Sequence, residues 1–269
     1  MKMEQNVRFG FFPNGKRKVL TFSYDDGRVE DRRLVEIFNQ YGMKATFHLN
    51  SDNFGRTNFM NANEISTLYE GHEISSHGFT HPWLERIPPE DFVFEVLEDR
   101  RRLEELCGYP VRGMSYPWGT WNADVINGIR TLGIKYSRTI QSTNHFNLPE
   151  DFLQWNPTCH HNNNLLDKLE SFRNARPFSL FYVWGHSFEF TRDGNWEMIE
   201  NFCSAMSGME DVWFATNIQI YDYITALRSV SLSVERKMAY NPSGMDLWLE
   251  VNGEPVVVPA GKTVSLVLV

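Results

Sequence analysis

Between residues 19 and 228 the chain repeats one unit: a short apolar run, a loop, then a helical pattern. Residues 19–23 read as a buried strand and 45–49 as a second. The helix between them places Leu34, Ile37, Phe38 and Tyr41 on one face and ends near Gly42. A short helix around Ile65, Leu68 and Tyr69 stops near Gly71, and 73–76 is a third strand. Pro88-Pro89 opens a long helix with Phe92, Val96, Leu103 and Leu106 inward, and Gly108 ends it. Further strands are expected at 113–116, 135–138, 178–184 and 212–216, and helices at 122–132, 164–175, 194–207 and 218–228. Strands alternating with helices imply an α/β fold with a parallel sheet, and seven or so units imply a closed or nearly closed barrel. An open doubly wound sheet is the alternative, but no GxGxxG or P-loop opens any helix.

From residue 229 the rhythm changes. Residues 231–234, 246–251, 256–258 and 264–269 look like short strands, and Asn252-Gly253 is a hairpin turn signal. The expected organisation is therefore a (β/α) barrel over 1–228 and a small C-terminal β appendage over 229–269 that covers apolar barrel surface.

The 269 residues carry a net charge of −8 without a basic tract, which argues against nucleic acid or an anionic membrane as the main partner. No apolar stretch approaches the roughly 18 residues of a membrane span. Residues 1–6 show no apolar leader, so the expectation is a cytoplasmic protein. Three widely spaced cysteines, Cys107, Cys159 and Cys203, form no CxxC and fit free thiols in a reducing compartment. A homo-oligomer is left open.

Three constellations carry chemistry. Asp25-Asp26-Gly27 follows the first strand, at the edge where barrels of this kind place their active sites. His77-Gly78-Phe79-Thr80-His81 follows the third strand; its His-x-x-x-His spacing suits a metal, while Gly78 and Pro82 favour a tight loop over the helix of a zincin. His186 ends an apolar strand in Tyr182-Val183-Trp184-Gly185-His186. With Pro117-Trp118, these groups converge on one rim, and one Asp with two His suits zinc or another borderline divalent ion. Trp155-Asn156-Pro157-Thr158-Cys159-His160-His161 adds a polar, aromatic cluster in which Trp155 could stack on a sugar ring.

These motifs resemble those of the polysaccharide deacetylases, the NodB-like carbohydrate esterases, over about residues 15–226. Thr21-Phe22-Ser23-Tyr24-Asp25-Asp26-Gly27 is similar to the Thr-Phe-Asp-Asp-Gly first motif, with Ser23-Tyr24 before the Asp pair. His77 to His81 is similar to the second motif, Ser115-Tyr116-Pro117-Trp118-Gly119 to the third, and His186 to the histidine that ends the last strand. The resemblance implies a distorted (β/α)7 barrel that deacetylates an acetylated carbohydrate, N- or O-linked. Asp26, His77 and His81 would hold one divalent metal, Zn2+ by preference. Asp25 would be the general base, His186 the general acid, and Tyr116, Pro117, Trp118, Trp155 and His160 would meet substrate. Two departures stand out. Ser115 occupies the place of the family's arginine, for which Arg112 and Arg138 are the candidates. The Asp-x-x-Asp-Trp motif is replaced by Tyr136-Ser137-Arg138-Thr139, leaving Glu189 or His160 to orient His186. These departures support a rival reading, a catalytically silent metal- and glycan-binding protein.

Overall fold

A computed structural model describes residues 6–267. The first half runs β1 (Val7–Arg8), β2 (Lys18–Asp25), α1 (Asp31–Gln40), β3 (Ala45–Leu49), α2 (Ile65–Leu68), β4 (Glu73–Ser76), α3 (Pro89–Cys107), β5 (Gly113–Ser115), α4 (Ala123–Thr131) and β6 (Tyr136–Arg138). It continues with β7 (Cys159–His160), α5 (Leu165–Arg173), β8 (Ser179–His186), α6 (Ser187–Asp193), α7 (Trp196–Ser207), β9 (Val212–Phe214) and α8 (Asn217–Arg228).

The main sheet has the order β6-β5-β4-β3-β2-β8-β7, every pairing parallel. The segment before β7 bonds back to β6, where Trp155 donates to the Ser137 carbonyl at 3.0 Å and accepts from the Thr139 N–H at 3.1 Å. The sheet thereby curls into the expected distorted (β/α)7 barrel. Its central strand, β2, is buried at all eight positions, as an apolar run covered on both faces requires. β2 pairs with β8 along its whole length; on its other side the first half meets β9 and the second half β3. Because the strands are parallel, their C-terminal ends bring Asp25, His48, Ser76, Ser115, Arg138, His160 and His186 to one rim.

The remaining chain forms β10 (Ser231–Leu232), β11 (Met238–Tyr240), β12 (Leu247–Val251), β13 (Glu254–Val258) and β14 (Thr263–Ser265). These lie in two antiparallel three-stranded sheets, β1-β12-β13 and β10-β11-β14. The expected Asn252-Gly253 turn joins β12 to β13. Leu247, Leu249 and Val251 are fully buried in a cluster that includes Val19 of β2, Leu180 of β8 and Tyr223 and Leu227 of α8. The C-terminal strands thus share a core with the N-terminal ends of the barrel strands, away from the rim.

Four elements have no counterpart in the sequence pattern: β1 and β7 are two residues long and β11 three, too short to show a period, and α6 follows β8 without an intervening loop. Of the strand expected at 264–269, β14 covers only 264–265; residues 268–269, and residues 1–5, on which the expectation of no leader rested, lie outside the described residues. Among the described residues no helix is long and apolar enough to cross a membrane.

Candidate active site

β2 delivers Asp25 to the rim with its side chain buried, and the chain turns at Asp26 with φ +79°. The Asp26 N–H donates to the His48 carbonyl at 2.9 Å, which fixes the turn against β3. His77 follows β4 in a loop, and His81 also has a positive φ, +63°. Such backbone costs on the order of 1–3 kcal/mol per non-glycine residue and is held here by surrounding bonds. The Asn50 amide donates to the His77 carbonyl at 2.6 Å and the Gly78 carbonyl at 2.7 Å. From one face of α3, Glu95 accepts from the Thr80 N–H and Asp99 from the Ser76 hydroxyl, at 2.8 and 2.6 Å. These carboxylates, four residues apart, pin the loop. Their helical spacing is visible in the sequence, but nothing there says which loop they face.

The donor atoms gather closely. His77 Nε2 and His81 Nε2 are 3.1 Å apart, and Asp26 Oδ1 is 3.8 Å from the first and 4.0 Å from the second. A cation bonded at about 2.0–2.2 Å holds tetrahedral donors roughly 3.4 Å apart, so small adjustments of these side chains would accommodate one. The Ser115 hydroxyl donates to Asp25 Oδ1 at 3.1 Å, while His77 Nδ1 lies 2.6 Å from that hydroxyl and 3.0 Å from the Ser115 carbonyl. The proton of neutral His77 therefore sits on Nδ1, leaving the Nε2 lone pair turned to Asp26 and His81. Burial pushes His77 well below its ordinary pKa and keeps it neutral. The residues present fit a divalent metal.

Asp25 and Asp26 differ electrostatically although adjacent. Burial alone would raise Asp25, but the Arg138 guanidinium, aided by His77, holds it well below the usual carboxylate range. Arg138 is fully buried, donates to Asp25 Oδ2 and to the Ser23 hydroxyl, and lies over the Trp184 ring at 4.4 Å. Arg112 instead forms a bidentate pair with Asp222, at 2.9 and 2.7 Å. Burial raises Asp26, with the neighbouring Asp25 carboxylate adding to it and His186 opposing it. Environments that push two carboxylates apart mark different roles.

His186, at the end of β8, lines the same cavity as Asp25, Asp26, His77, His81 and Trp118. Burial would lower its pKa; Glu189, 3.5 Å from Nδ1, together with Asp25 and Asp26 raises it above the ordinary histidine value. Trp118 is half exposed, has φ +58°, donates from its ring N–H to the His81 carbonyl at 2.9 Å, and stacks on Trp83 at 4.5 Å.

Three expected substrate contacts are corrected. Trp155 is fully buried, packed edge-on against Tyr136, Phe152 and Tyr182, so it is a core residue with no face for a sugar. Pro117 is buried and does not line the cavity, whereas Tyr116 does line it, its hydroxyl donating to the Leu153 carbonyl at 2.7 Å. His160 does not line the cavity; its Nε2 lies 3.0 Å from Glu189.

At Gly185, within β8, a second histidine, His161, approaches the strand closely. A Cβ there would lie 2.0 Å from His161 Nδ1. Gly185→Ala is therefore expected to displace His161 and to cost about 1–3 kcal/mol, read as a lowered denaturation midpoint.

A family model described as polysaccharide deacetylase matches residues 13–137. A chitooligosaccharide deacetylase of Bradyrhizobium is 31% identical over 117 residues, 42% of this chain and 51% of that protein. The chain spans about half or less of the length of the first curated relatives it matches. Among solved structures, a provisionally assigned polysaccharide deacetylase from Mycobacterium smegmatis aligns with TM-score 0.65 and 18% identity over 81% of this chain and 93% of that one. A family 4 acetyl xylan esterase from Clostridium thermocellum, in complex with a cobalt ion, aligns with TM-score 0.55 and 14% identity over 76% of this chain and 90% of that one. At these identities the solved structures speak for the fold.

Proposed function

We propose that the chain is a polysaccharide deacetylase of the NodB-like carbohydrate esterase type, the family whose model matches residues 13–137, and that it hydrolyses N- or O-linked acetyl groups of a carbohydrate with a divalent metal. The observation that carries this reading is the single cavity lined by Asp25, Asp26, His77, His81 and His186. Asp26, His77 and His81 would hold the metal, and two imidazoles with one carboxylate favour Zn2+. When bound, the ion polarises the acetyl carbonyl and acidifies the attacking water.

Asp25 takes the water's proton, its two oxygens oriented by Ser115 and Arg138. A backbone N–H near Trp118 helps to hold the developing oxyanion. His186 gives its proton to the departing amine or alkoxide, releasing free sugar and acetate. Trp118 offers an exposed ring at the cavity rim for the sugar. The silent-binder reading draws on the missing arginine and fourth motif; Arg138 against Asp25 and Glu189 against His186 support the catalytic reading instead.

The test is acetate release from acetylated chitooligosaccharides and acetylated xylan with zinc supplied. Failure on every acetylated glycan, with the metal shown to be bound, would sink the proposal. A second measurement follows from His186. Its acid form is present below its raised pKa and disappears as pH rises through it, so the alkaline fall of kcat should lie above the pH of an ordinary histidine. Glu189→Gln should move that fall to lower pH; an unmoved profile would exclude Glu189 as the group that tunes His186.

A further inference from the structure

His160 and His161, with Glu189 from α6, gather a second set of donor atoms, all within 4.8 Å of one another. We propose that these three residues form a second divalent-cation site of the zinc type, filled after the Asp26–His77–His81 set and inhibitory when filled. Glu189 Oε2 lies 3.0 Å from His160 Nε2 and 3.4 Å from His161 Nε2. Donors around tetrahedral zinc stand about 3.4 Å apart, so the cluster already has the span of a coordination shell.

His161 is the independent observation. It is fully buried, stacked on the Phe190 ring at 4.2 Å and on Tyr24 at 5.7 Å. Neither of its ring nitrogens has a hydrogen-bond partner among the described residues. A buried polar group left so costs about 1–3 kcal/mol, and a cation at Nε2 would satisfy one of the two atoms. Burial pushes its pKa down to about 3, so the ring stays neutral with a lone pair available.

The order of filling follows from tautomers. In the first set, Ser115 already holds the His77 proton on Nδ1. His160 is set the other way: its Nδ1 accepts from the Asn162 N–H at 3.2 Å, so its proton sits on Nε2 and points to Glu189. A cation entering there must shift that proton to Nδ1, which forfeits the exposed hydrogen bond accepted from the Asn162 N–H and makes the second site the weaker. Arg192, 3.6 Å from Glu189 Oε1, adds a competing positive charge, and Asp193 a compensating negative one.

Inhibition follows because Glu189 Oε2 is also the oxygen 3.5 Å from His186 Nδ1. A carboxylate neutralised by a cation no longer supports the protonated imidazole. This half of the inference rests on His186 being the general acid; the site itself does not.

Equilibrium dialysis against zinc at neutral pH tests the site without substrate. Wild type should bind about two equivalents, the second more weakly. His161→Phe, which keeps the aromatic stack, and Glu189→Gln should each bind about one. His81→Gln should retain the second site. Saturation of wild type at one equivalent overturns the proposal, as do two equivalents in both His161→Phe and Glu189→Gln. In acetate-release assays, zinc beyond the first equivalent should slow wild type and leave His161→Phe unslowed; equal slowing of both overturns the inhibitory role. A protein that never deacetylates can still bind two ions, and an active one can bind only one, so this failure and failure of the deacetylase reading are separable.

Discussion

Asp25→Asn is expected to lower turnover by about 10²–10⁴-fold, the range a positioned proton acceptor contributes, while zinc still binds to Asp26, His77 and His81. Asparagine keeps the shape of the side chain and its oxygen can still accept from Ser115 or Arg138. What it cannot do is take a proton from water. Paired measurements of acetate release and zinc stoichiometry check the prediction. Undiminished turnover removes Asp25 from the mechanism; loss of zinc together with turnover would recast it as a structural support of the metal set.

The second large effect concerns stability. Arg138→Met should destabilise the protein on the order of 3–5 kcal/mol at neutral pH, the cost of leaving one member of a buried ion pair alone. Asp25 has a depressed pKa in the folded state. Its contribution is therefore present above the ordinary carboxylate value and is lost as pH falls through the depressed value. In the variant the guanidinium is gone and burial is left to raise Asp25. The gap between wild type and Arg138→Met should accordingly be widest at neutral pH and narrow in acid. Urea midpoints at the two conditions would show this, and a gap independent of pH would mean that Arg138 acts through packing on Trp184 alone. Lysine should rescue poorly, since it lacks the planar fork that reaches Ser23 and Asp25 together while lying over a ring.

The barrel was legible because a parallel strand covered on both faces is an apolar run, and β2, β3 and β8 are such runs. Asp25-Asp26 and His77 to His81 were legible because the first pair stands at the end of β2 and the second group directly after the short strand β4. The choice between Arg112 and Arg138 was not, since it depends on strand direction and order. Arg112 precedes β5 and so lies at the opposite end of the sheet from Asp25, whereas Arg138 ends β6 at the rim. Trp155 misled because its polar neighbours resemble those of a binding loop; its burial comes from Tyr182 and Phe152, which meet it only through the sheet. Glu189 could be named as a candidate, but its reach to three histidines depends on β7 lying beside β8.

The central position of β2 also bears on how the protein is made. Lys18 pairs with Ser179 and with Val212, both synthesised well after this strand. Until those segments emerge, a strand destined to be buried at every position has only β3 beside it. Long-range pairing of this kind slows folding and prolongs exposure of aggregation-prone surface. The nascent chain should therefore depend on chaperones more than its finished, acidic surface suggests, and fragments ending before β8 should precipitate instead of forming a stable half-barrel.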